Sequence, residues 1–536
     1  MIGLRYPMVM SESDRVWKKY CGFYSLYIEQ FMAIQERLLL QQLKQIAGSA
    51  LGEKLIGRKM PASVEEFRRY VPLTTYEDYL PELEKGNEGF LLGKPYAWAH
   101  TSGASGTFKQ VPYTLEFYES ALHSLMAAFI LACSSKKGQS SLAEGDRVLF
   151  NVAPPPYLSG ILASGASNRF KLRPLMPPEM HDGMDFKEKV ARGFDLSLRT
   201  GVDILVAMTS VLVKIGNDFN RLSRKSSKAR HFSHPAALCR LISASWRSKL
   251  EGRGMLPKDL WPVKAIIGWG ADTSIYRDLV YKYWGVYPFE LHACTEAGII
   301  ALQSGIKRDL TFIPYSNFFE FIPEAEWLQS KRDSLYEPRT LLLSEVNPGE
   351  RYELVITSFH RMPFIRYRLG HLIKITALED KEAQVYLPQM VFETRADDLL
   401  DIAGFTRVSE KTIVQAIANA GLDHEEWTVR KELDRDKPKL HLYIELKDSY
   451  LAGDIAPVLH DELKRLDNGY HDLDCMLGVH PLEVTVLRPG TFADYCLMKE
   501  NQGEALHMQK PPRINAPEAA IKELINLGSR REVSVI

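Results

Sequence analysis

A short segment near residue 100 combines flexible residues, hydroxyls and a cation at close spacing. It reads HTSGASGTFKQVPYT and spans His100–Thr114. Gly103 and Gly106 permit backbone conformations and close approaches that larger residues would block. Hydroxyl donors and a compact ammonium group suit phosphate, and the segment supplies them at Thr101, Ser102, Ser105, Thr107 and Lys109. The composition predicts a phosphate-binding loop, although a plain turn would show the same residues.

The phosphate loop of P-loop nucleotidases is excluded by position. That loop requires the pattern GxxxxGK followed by Ser or Thr. Counted from Gly103, Phe108 occupies the place of the second glycine and Gln110 the place of the hydroxyl residue. A phosphate loop of another kind therefore remains, with Lys109 as its cation.

A carboxylate follows a predicted buried strand in the segment LHACTEAG, Leu291–Gly298. Ligands of parallel sheets bind beyond the carboxyl ends of the strands, which is where Glu296 falls. Magnesium takes one or two carboxylates together with phosphate oxygens, so Glu296 is a candidate to hold Mg²⁺ on a triphosphate. The alternative is a glutamate in the first turn of a helix beginning near Thr295, where the helix dipole favours negative charge.

Two further segments are rich in charge. FIRYRLGHL spans Phe364–Leu372, and ETRADDLLDIAGFTRVSE spans Glu393–Glu410. The second lies where the composition changes, so its charged residues either form a hinge between two domains or belong to a surface linker. Those residues are Arg395, Asp397 and Asp398.

The elements that must position these residues alternate between strand and helix in the first part of the chain. Buried strands are predicted at Arg147–Ala153, Val202–Ala207, Val263–Gly270 and Pro288–Ala293, with helices between them. Such alternation predicts an α/β fold with a mostly parallel sheet. After about residue 310, FFEFIP, RTLLLSEV, YELVITSF and FIRYRLGHLIKI read as close-spaced strands of an antiparallel or barrel-like segment. Long amphipathic helices are predicted for residues 13–47, and a helix–strand mixture beyond Asp397 indicates a small α+β domain.

Length and composition bound the class of protein. The chain has 536 residues, 45% of them hydrophobic, and Lys+Arg and Asp+Glu are both 67. A net charge of zero argues against nucleic-acid binding through a basic field. The six cysteines form no CxxC pair, the N-terminus does not resemble a signal peptide, and no apolar run approaches a membrane span. We therefore expect a cytoplasmic protein that does not engage membranes.

Taken in order, the four segments resemble the acyl-adenylate-forming superfamily of acyl-CoA ligases, amide synthetases and luciferases. A narrower similarity is to the auxin-responsive acyl acid–amido synthetases, the Gretchen Hagen family. It is found in TFIPYSNFFEFIPEAE, GERYELVITSF and RYRLG between residues 310 and 372, and in the closing segment Arg488–Ile514. The resemblance covers roughly residues 50 to 520.

The resemblance implies an adenylate-forming (luciferase-like) fold with a large N-terminal domain, residues 1–394, and a small mobile domain, residues 395–536. It implies that MgATP and a carboxylic acid form an acyl-AMP with release of pyrophosphate, and that the acyl group then passes to an amine. A monomer and small-molecule substrates are the expectation.

Site residues are carried over by motif. The phosphates would be held by Ser102, Gly103, Ser105, Gly106 and Lys109, with Thr101 beside them. Thr295 would serve the α-phosphate, Glu296 the Mg²⁺ and Arg395 the ribose. Asp397 or Asp398 would be the hinge, and Lys510 the lysine that swings in during adenylation. The rest of the nucleotide site would comprise Gly270, Ala271, His292, Ala293, Cys294 and His371.

Two positions depart from the superfamily pattern. The third motif usually ends in an aspartate that accepts hydrogen bonds from both ribose hydroxyls, and here it ends in His371. A neutral imidazole has one acceptor nitrogen. The loss of a charge-assisted bond, roughly 1.5–3 kcal/mol, predicts ATP binding weakened about tenfold or more unless other groups compensate. The position that often stacks an aromatic ring on adenine is His292, which can still stack.

The acyl pocket is less determined. Candidates are Phe117, Leu122 and Met126 on the helix after the phosphate loop, and Tyr157 after three prolines; the helix residues serve equally well as core. They favour an apolar or aromatic acid. Two alternatives to an amido synthetase stay open: an acyl-CoA ligase of the phenylacetate–CoA ligase type, which MPFIRYRLG also resembles, and a nucleotide-impaired binding protein. The identity of the acid and of the amine is not encoded in any recognisable motif.

Overall fold

The computed structural model describes most of the chain. The described residues are 12–57, 60–84, 90–102, 108–176, 184, 186–222, 234–270, 273–333, 335–395, 400–402, 406–434, 437–447, 452–477, 481–501 and 511–530. All structural statements below refer to them.

The helices occupy the two ends of the chain and alternate with strands in between. Their bounds are α1 (Glu12–Cys21), α2 (Ile28–Ile46), α3 (Ala50–Leu55), α4 (Val64–Tyr70), α5 (Leu80–Glu84), α6 (Leu115–Ala132), α7 (Leu158–Arg169), α8 (Phe186–Thr200), α9 (Thr209–Leu222), α10 (Pro235–Leu250), α11 (Pro257–Leu260), α12 (Thr273–Trp284), α13 (Glu324–Arg332), α14 (Glu410–Asn419), α15 (Ala452–Leu466), α16 (Asn468–Leu477), α17 (Thr491–Asn501) and α18 (Glu518–Arg530).

The longest strands lie after residue 350. Their bounds are β1 (Ala97–Ser102), β2 (Phe108–Tyr113), β3 (Ser134–Lys136), β4 (Gln139–Ser140), β5 (Arg147–Asn151), β6 (Arg173–Pro174), β7 (Ile204–Met208), β8 (Ala265–Trp269), β9 (Pro288–Cys294), β10 (Gly298–Gln303), β11 (Leu310–Phe312), β12 (Asn317–Pro323), β13 (Arg351–Ser358), β14 (Tyr367–Ala377), β15 (Gln389–Arg395), β16 (Leu400–Ile402), β17 (Thr406–Val408), β18 (His424–Asp434), β19 (Lys437–Leu446) and β20 (Leu482–Leu487).

One large sheet organises the first 395 residues. Its eleven strands lie in the order β12-β13-β14-β15-β11-β10-β9-β8-β7-β5-β6. The strands from β9 to β6 run parallel to one another, and β10 pairs with β9 in the antiparallel direction. The predicted alternating strands are therefore confirmed. The close-spaced strands after residue 310 extend this same sheet rather than enclosing a separate barrel.

The parallel half is built from sequences that suit burial on both faces. Every residue of β7 (ILVAM) and all but the last of β8 (AIIGW) are buried. Continuous apolar runs of this kind are typical of parallel strands covered by helices on both sides. Helix α6 is similarly apolar on most of its circumference and packs into the main core.

One predicted strand is wrong. RTLLLSEV is rich in strand-favouring residues, but it forms only a single bridge, between Leu341 and Phe321, before a 3₁₀ turn at Leu343–Glu345. The backbone of Leu341 pairs with Phe321 through two hydrogen bonds of 2.8 and 2.9 Å. Local propensity for strand is thus overridden by the turn that directly follows.

The predicted N-terminal amphipathic helices are α1 and α2, separated by a 3₁₀ turn at Gly22–Ser25. The polar side of α2 is partly buried, because Gln35 and Gln42 each bond to distant backbone. Gln35 Nε2 donates to the Asn317 carbonyl (2.7 Å), while its Oε1 accepts from Phe319 N (3.0 Å). Gln42 Nε2 donates to the Met362 carbonyl (3.2 Å), and its Oε1 accepts from Arg361 N (3.1 Å). Each glutamine therefore ties α2 to a backbone segment nearly 300 residues or more away.

The chain divides into two compact units. The first comprises residues 1–101 and 110–394, and the second comprises Ser102–Lys109 with Arg395–Ile536. In the second unit, β18, β19 and β20 form a three-stranded sheet. Apolar side chains of this sheet, including Val429 and Leu442, line a small cavity with side chains of α14 and α15. The mixture of helices and strands predicted beyond Asp397 is present, with α14 and α15 among the helices and β19 and β20 among the strands, whereas β18 was not predicted.

The polar side chains of that small sheet form a network across all three strands. His441 Nδ1 lies 2.7 Å from Glu432 Oε2, and its Nε2 lies 2.8 Å from Thr485 Oγ1. Tyr443 donates to Glu432 Oε1 at 2.9 Å. Since each bond crosses between strands, the network fixes the register of the sheet.

Candidate functional site

The turn that carries Glu296 is a β-hairpin loop. Cys294 pairs with Gly298, which leaves Thr295, Glu296 and Ala297 as the three loop residues between β9 and β10. Gly298 has φ of 68°, the left-handed value that three-residue hairpins need at their closing position. The alternative prediction of a helix starting near Thr295 is wrong. Glu296 is buried, with 5% of its surface exposed, at the carboxyl edge of the parallel strands.

Two predicted nucleotide residues come together beside this turn. His292 on β9 and His371 on β14 place Nε2 and Nδ1 3.1 Å apart, and both side chains are buried. The ring of Phe392 stacks on His292 with centroids 5.2 Å apart and meets His371 edge-on at 5.4 Å. A nitrogen–nitrogen contact at this distance requires that one ring donate a proton and the other accept it. The pair therefore carries one proton in the contact.

Tyr367 connects the third motif to the turn. Its hydroxyl lies 3.5 Å from Glu296 Oε1, at the outer limit of a hydrogen bond. Residue Arg366 before it has φ of 45° and a buried guanidinium. The segment Phe364–Leu372 was singled out from the sequence, but no role was predicted for Arg366 or Tyr367.

The Arg366 guanidinium has all five of its N–H donors bonded. Nε and Nη2 donate to the two oxygens of Glu320 at 3.0 and 2.8 Å. Nη1 donates to the carbonyls of Arg68 (2.8 Å) and Val71 (2.6 Å), and Nη2 also donates to Thr340 (3.2 Å). A buried ion pair satisfied in this way is costly to break, because removal of one partner leaves an uncompensated charge. The network anchors the start of β14.

The ends of β7 and β8 lie on the same edge as the turn. Gly270, predicted at the nucleotide site, follows β8 with φ of 129°. Its carbonyl accepts a hydrogen bond from Thr273 Oγ1 (2.9 Å), which also contacts Thr209 Oγ1 (3.1 Å). Neither threonine was predicted, although each is the first residue of a helix that follows a parallel strand, which is the available signal.

The phosphate-loop candidate is flanked by the strands β1 and β2. Lys109 lies on β2 and is half-buried. The next residue, Gln110, is anchored because its N–H donates to Tyr76 Oη at 2.8 Å and its carbonyl accepts from it at 3.1 Å. Gly103, Ser105 and Gly106 lie outside the described residues, so their predicted contact with phosphate stays a prediction.

Other predicted site residues also lie wholly or partly outside the described residues. Ala271, Asp397, Asp398 and Lys510 are not described, and for Thr101, Ser102 and Arg395 only the backbone is described, as part of β1 and β15. Ala293 and Cys294 are described on β9, where Cys294 is buried and Ala293 half-buried.

The predicted acyl-pocket residues do not share one environment. Phe117 and Leu122 are buried in the main core, whereas Met126 and Tyr157 are half-buried. Tyr157 precedes α7 and forms an isolated bridge to His100 on β1. The assignment of these residues to an acyl pocket stays a prediction.

The residues of the turn suit a magnesium ion that arrives with its nucleotide. Among the described residues, no group of three or more His, Cys, Asp or Glu side chains is arranged to hold a metal. A single buried carboxylate at a strand end matches the preference of Mg²⁺ for one or two carboxylates plus phosphate oxygens. A single carboxylate of this kind fits a magnesium ion that is bound to a triphosphate.

Solved structures with this architecture are adenylate-forming enzymes. AtGH3.15 acyl acid amido synthetase in complex with 2,4-DB matches 98% of this chain and 97% of its own at a TM-score of 0.55 and 18% identity. A 2-hydroxyisobutyryl-CoA ligase in complex with 2-HIB-AMP and CoA matches 91% of this chain and 92% of its own at a TM-score of 0.60 and 14% identity. The chain thus has the adenylate-forming fold, as predicted.

The particular family follows from the sequence comparisons. Models of the GH3 family match residues 23–177 (N-terminal domain), 310–395 (central domain) and 409–518 (C-terminal domain). The chain belongs to the GH3 family, which confirms the predicted resemblance.

Relatives of this chain are named amido synthetases. Indole-3-acetic acid-amido synthetase GH3.17 of Arabidopsis thaliana is 26% identical over 90% of both chains. Jasmonoyl–L-amino acid synthetase JAR4 of Nicotiana attenuata is 28% identical over 90% of this chain and 91% of its own. The prediction of an acid–amine ligase is confirmed at this level. Separately, none of the described helices is both long and apolar enough to cross a membrane.

Proposed function

We propose that this chain is an ATP-dependent acyl acid–amido synthetase. It adenylates a small carboxylic acid, releases pyrophosphate, and transfers the acyl group from AMP to the amine of an amino acid or similar acceptor. The observation that supports this most is the buried Glu296 turn beside the His292–His371 pair, at the carboxyl edge of parallel strands, in a chain of the GH3 family.

Each residue has a part in this reaction. Glu296 would hold Mg²⁺, which screens the charge of the triphosphate when bound. Thr295 and the phosphate-loop residues Ser102, Ser105 and Lys109 would orient the phosphates and stabilise negative charge that develops at the α-phosphorus. Gly270 and the β9 residues His292 to Cys294 would form the wall against the adenine, with Arg395 and His371 near the ribose.

The two half-reactions need different surroundings for the same intermediate. A mobile domain of residues 395–536, turning about Asp397 or Asp398, would bring Lys510 to the site for adenylation and withdraw it for amide formation. The division of the chain between Thr394 and Arg395 supports this boundary. We expect a monomer that works on small molecules.

The relatives limit the substrates only by class. Their names include indole-3-acetic acid, jasmonate and L-amino acids. At 26–28% identity we carry over an apolar or aromatic acid and an amino-acid-like acceptor, not a particular compound.

The proposal is tested with the purified full-length chain, MgATP and a panel of such acids and amines. We expect pyrophosphate release that needs an acid, and a product whose mass equals acid plus amine minus water. A Glu296→Gln variant serves as the matched negative control. A thioester product with coenzyme A and no amide would favour the acyl-CoA ligase alternative, and absence of ATP binding by calorimetry would favour the binding-protein alternative.

A further inference from the structure

Both backbone carbonyls that flank Glu296 accept a hydrogen bond from a buried side chain. Tyr113 Oη donates to the Thr295 carbonyl at 2.7 Å. Asn317 Nδ2 donates to the Ala297 carbonyl at 2.9 Å. Tyr113 is 1% exposed and Asn317 is fully buried, so both donors act from within the core.

Gly298, the residue that follows the three-residue loop, packs against an aromatic ring. A Cβ atom at Gly298 would lie 2.9 Å from the ring of Phe117, so this ring packs directly on the glycine. The Phe117 ring lies 4.7 Å from the ring of Tyr113. The donor to Thr295 and the packing against Gly298 therefore come from one aromatic pair.

Each donor is itself fixed. Asn317 begins β12, and Gln35 of α2 bonds both the Asn317 carbonyl and the Phe319 amide. Tyr113 ends β2, and the next residue, Thr114, caps α6 by accepting from Phe117 N at 3.1 Å. Burial, with added repulsion from Cys294 and Glu296, raises the pKa of Tyr113 well above its ordinary value. Its hydroxyl therefore keeps the donor proton at neutral pH.

We propose that Tyr113 and Asn317 are positioning residues that set the orientation of the Glu296 carboxylate toward the metal of MgATP. This inference rests on the proposed function, in which Glu296 holds that metal. A short hairpin loop has no helical ladder to fix its peptide planes. The bond to the Thr295 carbonyl fixes the peptide plane that precedes Glu296, and the bond to the Ala297 carbonyl fixes the plane between Ala297 and Gly298. Together they hold both ends of the three-residue loop, and with them the direction of the Glu296 side chain. Misplacement of such a group by about 1 Å costs on the order of a hundredfold in rate.

A purely structural role for these bonds predicts a different result. Tyr24 and Gln42 provide matched controls, because both are buried and bond to backbone elsewhere. Tyr24 Oη donates to the carbonyls of Leu302 (2.7 Å) and Gln303 (2.8 Å) at the other end of β10. Gln42 bonds Arg361 and Met362. Their loss should lower stability without a specific effect on metal-dependent binding.

The test measures the affinity of α,β-methylene-ATP by calorimetry, with Mg²⁺ and with EDTA, and the melting temperature of each variant. The variants are Tyr113→Phe and Asn317→Leu, the controls are Tyr24→Phe and Gln42→Leu, and Glu296→Gln is the benchmark. We expect Tyr113→Phe and Asn317→Leu each to lose about tenfold of the Mg²⁺-dependent affinity, with affinity in EDTA unchanged. The controls should keep the wild-type Mg²⁺ dependence at an equal loss of melting temperature.

The outcomes separate the two claims. If Glu296→Gln loses the Mg²⁺ dependence while Tyr113→Phe and Asn317→Leu keep it, the positioning claim is overturned and the metal role of Glu296 stands. If Glu296→Gln itself keeps the wild-type Mg²⁺ dependence, the metal role fails and the positioning claim fails with it. An equal loss of Mg²⁺ dependence in the controls would also overturn the positioning claim, because the effect would then be a general loss of core packing.

Discussion

The Glu296 turn and the His292–His371 pair are neighbours along β9, yet they are held by different chemistry. The turn is fixed by a phenol, an amide and an aromatic ring, none of which changes charge near neutral pH. The pair is held by a contact between two imidazoles that needs one of them unprotonated. Metal placement should therefore be insensitive to pH, whereas nucleotide placement should respond to it.

The largest effect is expected from the support that the two regions share. Strand β14 carries both Tyr367 and His371, and Arg366 anchors its start to Glu320. Arg366→Met leaves the buried Glu320 carboxylate with only a hydrogen bond from Thr340 and a 3.8 Å ion pair with Arg68. The free energy of unfolding should therefore fall by about 3 kcal/mol. Urea unfolding measures this loss.

Arg308→Met is the control for that substitution. It removes an ion pair with Glu382 in which both side chains are more than half exposed, and it should cost less than about 1 kcal/mol. Equal losses in the two variants would show that the Arg366 network does not stabilise the shared strand.

The second effect separates the turn from the pair. Glu296→Gln keeps the shape of the side chain and removes its charge, and we expect kcat/KM for MgATP to fall about a hundredfold, or roughly 2.7 kcal/mol. Because its supports do not titrate, the ratio of variant to wild type should stay constant between pH 6 and pH 8. Steady-state kinetics at both pH values give this ratio, and a ratio that changed tenfold would contradict the difference between the two regions.

The third effect concerns the opposite end of β9. Burial raises the pKa of Glu290 to about 7, opposed by Arg277 and assisted by Asp309. The folded state thus holds a proton that the unfolded chain releases near pH 4.5, so the contribution of Glu290 to stability is greatest below pH 4.5 and is lost as the pH rises through 7. Glu290→Gln should raise the free energy of unfolding by roughly 2 kcal/mol at pH 8 and by much less at pH 5.

Urea unfolding at the two pH values checks the Glu290 prediction. Glu290→Gln should leave the Mg²⁺ dependence of nucleotide binding intact, because the residue lies before both regions on the strand. A stability gain that was larger at pH 5 than at pH 8 would refute the assignment of a raised pKa to Glu290.

The smallest effect tests the pair directly. His371→Asp supplies a carboxylate that can accept two hydroxyl hydrogen bonds, and ATP should bind about tenfold more tightly at pH 7.5, or about 1.4 kcal/mol. His371→Asn removes the imidazole without adding charge, so it should gain no affinity at pH 7.5. Calorimetry with ATP measures both, and weaker binding in His371→Asp would show that His371 is not near the ribose.

Local features could be predicted from the sequence, whereas contacts between residues far apart in the chain could not. Buried runs such as ILVAM and AIIGW reveal parallel strands, and the position of Glu296 after β9 reveals a ligand-binding edge. The donors to its turn are hidden, because Tyr113 is 182 residues from Thr295 and Asn317 is 20 residues from Ala297. Gln35 and Gln42 read as the solvated side of an amphipathic helix, and only the fold shows that they are buried.

Two strand predictions were wrong because the structure of a segment depends on residues outside it. RTLLLSEV has the composition of a strand, but its pairing ends at Leu341. Strand β18 was not predicted because its sequence, HEEWTVRKELD, is mostly charged. The charges of β18 are paired across the sheet, as with Glu432 and His441. Cross-strand partners of this kind are not visible in one segment of sequence.

The central claim is that the acid is activated as an acyl-adenylate. It is tested by supplying the chain with MgATP, an amine and an acid labelled with ¹⁸O in both carboxyl oxygens, and by measuring the label in the phosphate products by mass spectrometry. Attack of the carboxylate on the α-phosphorus followed by amide formation places one ¹⁸O atom in AMP and leaves pyrophosphate unlabelled. Label in inorganic phosphate, with ADP as the other product, would contradict the account, because it would mean activation at the γ-phosphorus.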